Sequence, residues 1–257
     1  MKENRYCVYT ALVGDSYDTI NSPSVLDKEF DYICFVNKGS KLLNSENNVW
    51  KFIVIEETIA DKGRLSRFPK LLPHKTYLSK YEYSLYIDAN ILIKDSFIYD
   101  RFKELAEHNI LIALLQHPFR DCVYQEAYVC IAALKGGWID ILRQILFLKR
   151  KKYPKHFGLY EANVIFRKHN IPDVIEMDET WWKTFMNYSK RDQLSLVYAL
   201  RESSLKISFF LPPDQTTRNH YAFEKIGHLP QKKTVSGIIK AKFIKLIIGV
   251  SRKILKD

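Results

Sequence analysis

The chain predicts an α/β fold in which a mostly parallel central sheet is flanked by helices, and three observations carry that expectation. Four runs rich in β-branched and aromatic residues, at 5–13, 30–36, 49–55 and 83–93, read as strands. Each run stops at polar or turn-forming residues, as at Gly14-Asp15-Ser16 and Asn37-Lys38-Gly39. Strand and connection alternate over the first hundred residues, the order in which parallel sheets are built. With 257 residues and 47% hydrophobic content, such a domain buries an adequate core without staples.

The remaining elements follow in order. Residues 61–80 read as partly helical, interrupted by Pro69 and Pro73. Helices are expected at 97–108, 125–133, 139–151, 180–188 and 192–202. Shorter strands are expected at 110–115, 162–167 and 205–211, the last closed by Pro212-Pro213. There is no internal repeat and no low-complexity segment. The economical division is one domain over residues 1–231 and a basic tail over 232–257.

Net charge is +11, which raises the question of polyanionic partners. Eight basic residues and one acid lie from Lys232 onward, leaving about +4 for the body, so nucleic-acid binding by the body is not expected. Cys7, Cys34, Cys122 and Cys130 form no CxxC pair and read as reduced, mostly buried thiols. The start of the sequence lacks the apolar stretch of a secretory signal, and no uncharged apolar run approaches 18 residues. A cytoplasmic location is the expectation. The absence of GxxxxGK[ST], GxGxxG and HExxH patterns leaves P-loop, dinucleotide-fold and zincin readings unsupported.

Ligands on parallel sheets bind beyond the carboxyl ends of the strands, so the residues after each run are the first candidates for chemistry. In Tyr86-Ile87-Asp88-Ala89-Asn90-Ile91 two polar residues interrupt an apolar run. At i, i+2 in a regular strand they share a face and offer hard oxygen donors suited to Mg²⁺ or Mn²⁺. An Asx-rich turn between two short strands produces the same pattern. Arg64, Arg67 and Lys70 are spaced to share a helix face, as phosphate-binding groups or as a solvated basic face.

Trp181-Trp182 offers a sugar-stacking platform or a pocket wall. Asp192, before Gln193, is either a carboxylate facing a substrate or an acid at a helix N-terminus. His117, Arg120 and Glu126 follow a strand end, and Glu161 and Asn163 flank another apolar run, as candidate acceptor contacts. His220 and His228 are candidate metal ligands or ordinary surface histidines.

Taken in order, these segments resemble a glycosyltransferase-like family first catalogued as a domain of unknown function and found in bacterial polysaccharide loci and plant Golgi proteins. The matching pieces are Val8-Tyr9-Thr10-Ala11-Leu12-Val13-Gly14 with Tyr17-Asp18, then Asp31-Tyr32-Ile33-Cys34-Phe35, and Arg67, Lys70 and Pro73-His74. Tyr86-Ile87-Asp88-Ala89-Asn90, His117, Arg120, Glu126, Trp181-Trp182 and Arg191-Asp192-Gln193-Leu194-Ser195 complete the set, which spans residues 5–228.

The resemblance implies a GT-A fold, Rossmann-type in its nucleotide-binding half. It implies a nucleotide-sugar donor, with a UDP-sugar favoured, a divalent Mn²⁺ or Mg²⁺ ion, and a glycan or lipid-linked acceptor in capsule or lipopolysaccharide synthesis. Thr10, Ala11, Val13, Tyr17 and Asp18 would hold base and ribose. Arg67 and Lys70 would meet phosphate or sugar, Asp88, Ala89 and Asn90 would stand where such enzymes carry Asp-x-Asp, and Asp192 would face donor sugar or acceptor. Two departures are Asn37 after the second strand and Asn90 in the metal motif, both acids elsewhere in the family. The second motivates an alternative, a non-catalytic nucleotide-sugar- or glycan-binding protein at the membrane.

Residues 234–257 read as one helix, with Lys242, Lys245, Arg252, Lys253 and Lys256 in one sector and Phe243, Leu246, Ile247 and Ile254 largely outside it. A basic amphipathic C-terminal helix of this kind lies on anionic membranes, docks on a core, or makes a dimer contact. The expectation is peripheral attachment to the inner face of the cell membrane.

Overall fold

The computed structural model describes residues 5–226, apart from residues 16, 47 and 48. In chain order the strands are β1 (Tyr6–Leu12), β2 (Phe30–Val36), β3 (Lys51–Val54), β4 (Tyr83–Ile87), β5 (Ile91–Ile93), β6 (Ile112–Gln116), β7 (Tyr160–Lys168), β8 (Ser208–Phe209) and β9 (Phe223–Lys225). Seven of them form one sheet in the order β3-β2-β1-β4-β7-β6-β8, and β5 pairs with β9 as a separate ribbon. The helices are α1 (Lys62–Leu65), α2 (Phe68–Leu71), α3 (Phe97–Glu107), α4 (Val123–Ala132), α5 (Trp138–Arg150), α6 (Pro172–Asn187) and α7 (Asp192–Glu202).

Pairing is parallel at β1–β2, β1–β4, β2–β3 and β6–β8, and antiparallel at β4–β7 and β6–β7. Strand β7 is therefore reversed within the sheet, and its neighbour β6 runs in the direction of β4. The carboxyl ends of β1, β2, β4 and β6 thus share one edge with the amino end of β7. Alternation along each strand divides the core into two layers. Val8 of β1 packs with Ile98, Tyr99 and Phe102 of α3, whereas Cys7 and Tyr9 pack with α2, α6 and α7. A third apolar cluster joins α4, α5 and α7. The α/β expectation with a mostly parallel, helix-flanked sheet holds.

Several elements differ from the expectation. The run at 83–93 is two strands, because Asp88 O accepts the Ile91 N–H at 2.9 Å and turns the chain out of the sheet toward β9. Asp88 and Asn90 therefore lie in a turn, and the shared strand face does not exist. Residues 61–80 form two one-turn helices and two 3-10 turns, with Pro69 in the first turn of α2, where its missing N–H costs nothing. Helix α6 starts at Pro172, well before the expected 180. The strand expected at 205–211 shrinks to the two residues of β8. All four cysteines are free and buried. No helix among the described residues is long and apolar enough to cross a membrane. The C-terminal tail, with His228, lies outside the described residues.

Candidate active site

The shared sheet edge gathers most of the candidate residues. After β1, the Gly14 N–H donates to Asn37 Oδ1 at 2.9 Å, so Asn37 braces the loop of the neighbouring strand. Gly14 has φ of 153°, and a side chain there would meet the Tyr17 ring, so this loop tolerates little but glycine. Thr10 is buried with its Oγ1 unpartnered, and it lines a groove with Ile20, Asn21, Trp50, Asp88 and Leu92. A buried hydroxyl without a partner is costly, and one beside an open groove is ready for a ligand. Ala11 and Val13 are half-buried, and Tyr17 and Asp18 are exposed.

At the centre stands Lys70, 2% exposed, carried inward by α2. Its Nζ donates to Asp192 Oδ2 at 2.6 Å, faces Asp88 Oδ1 at 3.7 Å, and lies 4.7 Å from the Tyr86 ring centroid. Arg67 Nε donates to the same Asp192 oxygen at 3.3 Å. Tyr86 OH donates to Asp88 Oδ1 at 2.8 Å, fixing the carboxylate, and the Asp88 N–H donates to Asn163 O at 2.9 Å, fixing its backbone. Burial alone pushes the Asp192 carboxyl up, but the charges of Lys70 and Arg67 outweigh it and hold the group well below the usual carboxylate range. Asp192 stays ionised.

Asp192 is also held through its backbone. It opens α7, its carbonyl accepts the Trp181 indole N–H at 2.8 Å, and its Oδ1 accepts the Gln193 N–H at 3.0 Å. Gln193 Nε2 in turn donates to Tyr160 O at 2.7 Å, tying α7 to the start of β7. Behind Lys70, the buried Arg167 donates from Nη1 to Lys70 O at 3.0 Å and to Tyr9 OH at 3.3 Å, and its Nη2 lies 3.1 Å from Asp178.

A second cluster lies across β6 and β7. Glu126 is buried, accepts from Arg120 Nε at 2.7 Å, and faces His117 at 3.7 Å. His117 Nδ1 accepts the backbone N–H groups of Phe119 and Arg120, and burial pushes its pKa down, so the ring is neutral near pH 7. Glu161 is buried and pairs with Arg218, and Asn163 Nδ2 donates to Glu161 at 3.2 Å and to Thr217 Oγ1 at 3.1 Å. The Asn163 Oδ1 is buried without a partner.

Other candidates fall elsewhere. Trp181 is fully buried, so it supports Asp192 from the core and is no exposed platform; Trp182 is half-buried against Phe68. Arg64 turns away from Arg67 and Lys70, donating to Phe185 O and Tyr188 O, because two separate one-turn helices do not keep three residues on one face. His220 sits among Phe97, Tyr221 and Phe223, and its Nδ1 accepts the Ala222 N–H. Among the described residues no group of three or more His, Cys, Asp or Glu side chains could hold a metal ion. Asp88 and Asn90 carry oxygen atoms of the kind that hard cations take.

Sequence reasoning passed over Tyr86, Arg167, Asp178 and Trp50. Arg167 left a signal, since it opens the basic Arg167-Lys168 pair that closes the apolar run Val164-Ile165-Phe166. Tyr86 left none, since a tyrosine inside a strand reads as core.

Three solved structures are similar to the chain at low identity. The galactosyltransferase LgtC, in complex with donor and acceptor sugar analogs, is 12% identical with a TM-score of 0.48, over 95% of each chain. The bifunctional WbbM glycosyltransferase is 12% identical with a TM-score of 0.45, over 93% of this chain and 44% of its own, so the chain spans under half of that protein. The mannosyltransferase Ktr4p from S. cerevisiae is 9% identical with a TM-score of 0.40, over 76% of this chain and 66% of its own. No curated protein matches the chain. The family model for the TOD1/MUCI70 glycosyltransferase-like domain matches residues 1–224. The chain, a transferase, belongs to the TOD1/MUCI70 glycosyltransferase-like family.

Proposed function

We propose that this transferase moves a sugar from a nucleotide-sugar, with a UDP-sugar favoured, to a glycan or lipid-linked saccharide in capsule or lipopolysaccharide assembly. The observation that carries the proposal is the buried ammonium of Lys70 set between Asp192 and Asp88 at the ligand-binding edge of the sheet. In this reading the groove beside Thr10, Asn21 and Trp50 takes base and ribose, and the diphosphate lies toward Asp88 and Asn90. Asp88 and Asn90 would hold Mn²⁺ or Mg²⁺. The ion, when bound, offsets charge on the leaving diphosphate.

The chain's own groups do the rest. Tyr86 aims one Asp88 oxygen, leaving the other for the ligand. Arg67, one-third exposed, and Lys70 place positive charge where the diphosphate would gain negative charge. Asp192, kept ionised, orients sugar hydroxyls or offsets developing positive charge on the anomeric carbon. His117, Arg120, Glu126, Glu161 and Asn163 line the acceptor side. The tail after residue 231 attaches the protein to the cytoplasmic face of an anionic membrane.

The deciding experiment is transfer from a panel of nucleotide-sugars with and without Mn²⁺. Sugar transfer that falls by about a hundredfold in Asp88→Ala is the expected result. Binding of nucleotide-sugar with neither transfer nor hydrolysis would favour the non-catalytic alternative that Asn90 motivates.

A further inference from the structure

We propose that the outer face of α5 is a second membrane-docking surface, one that belongs to the folded domain and fits an anionic phospholipid bilayer. The inner face of this helix is committed: Ile141, Gln144, Ile145 and Leu148 are buried against α4 and α7. At ~100° per residue, Ile139, Arg143, Leu146 and Arg150 fall in the opposite sector and are exposed, while Leu142 packs against the inner cluster. Two of its aliphatic side chains face water, Ile139 at 55% and Leu146 at 53% exposed.

The charges on this face are Arg143 and Arg150, and the segment around it is basic. Between residues 138 and 152 there are five basic residues and one acid, Asp140, which lies 3.5 Å from Arg143. A solvated face needs no aliphatic residues, and a self-associating face would gather like charges against one another. Aliphatic tips interleaved with long basic side chains match a bilayer interface: the tips enter the acyl boundary and the basic heads reach anionic headgroups. Charge complementarity thus selects the occupant.

The face is also placed to matter. Gln144, on the buried side of the same helix, accepts from Ser189 Oγ and donates to Ser195 Oγ at 3.0 Å, gripping both ends of the segment that carries Asp192. The turn before α5 is close as well, since a side chain at Gly136 would reach to 3.6 Å from Arg191. Docking through α5 sets the Asp192 segment one helix thickness from the headgroups. The surface stands independently of the transfer chemistry; only its use for a lipid-linked acceptor rests on the function proposed above.

The test is co-sedimentation of the full chain with vesicles of phosphatidylcholine alone and of phosphatidylcholine mixed with phosphatidylglycerol. The wild-type chain should partition onto the mixed vesicles. Ile139→Asp with Leu146→Asp should weaken that partition about tenfold with an unchanged melting temperature. Arg143→Glu with Arg150→Glu should weaken it similarly. Unaltered partition in the Asp variant would overturn the proposal and leave any binding to the tail. Loss in the Glu variant alone would overturn it in favour of a general polyanion surface. A change from dimer to monomer in sedimentation velocity of the Asp variant would overturn it in favour of a second copy of the chain. Nucleotide-induced thermal shifts, measured in parallel, report separately on the function proposed for the site.

Discussion

At Lys70 one ammonium faces two carboxylates, and the unequal distances of 2.6 Å to Asp192 and 3.7 Å to Asp88 separate their roles. Asp192 is the committed partner, and Asp88 retains capacity for a ligand. Removing one partner of a buried pair leaves a charge without compensation, so Asp192→Asn should lower stability at neutral pH by about 3 kcal/mol in urea titrations. The pH dependence follows from its depressed folded pKa. The stabilisation from this group is complete above the unfolded value of about 4 and is lost as pH falls through the lower folded value. The wild-type chain should therefore lose stability steadily on acidification below pH ~4, and Asp192→Asn should flatten that limb. Asp88→Ala should instead spare the fold and reduce transfer by about a hundredfold, equivalent to about 2.7 kcal/mol of barrier.

Between elements the decisive link is Arg167, which joins β7 to α2 through Lys70 O and to α6 through Asp178. Arg167 and Asp178 are each 1% exposed, and burial pushes the Asp178 carboxyl up to about 7, so Arg167→Met should leave a protonated, unpaired carboxyl and cost about 1–3 kcal/mol. Arg167→Met with Asp178→Leu should recover most of that loss, because an apolar pair carries no desolvation penalty; a double-mutant cycle in urea reads the difference. Little of this was legible beforehand. Strands β1, β2 and β4 were readable because buried parallel strands require continuous apolar runs. The turn at Asp88 was legible as one of two alternatives, an Asx-rich turn between two short strands, and the pairing of β5 with β9 decides for it. The inward course of Lys70 was hidden because its partner Asp192 lies 122 residues away. No local pattern predicts that a lysine after a proline will be core. Asp88, Asn90 and Asp192 were found as residues, but their convergence depended on the resemblance and on the tertiary fold.

For the whole molecule the sharpest check is coupled binding. A nucleoside diphosphate at about 100 times its dissociation constant adds about 2.7 kcal/mol of stability, which for a domain of this size raises the melting temperature by roughly 5–10 °C. UDP with Mn²⁺ should produce such a shift, and chelation should remove most of it. The reason lies in the cluster around Lys70. Arg67 and Lys70 bring two formal positive charges and Asp88 and Asp192 two negative, so the site is electrically balanced before anything enters. An incoming diphosphate upsets that balance, and a divalent cation restores it. Nucleotide and cation should each raise the other's affinity by the same factor, as thermodynamic reciprocity demands. Such a site should resist free phosphate and free metal alike, and should fill when the two arrive as one neutralised unit.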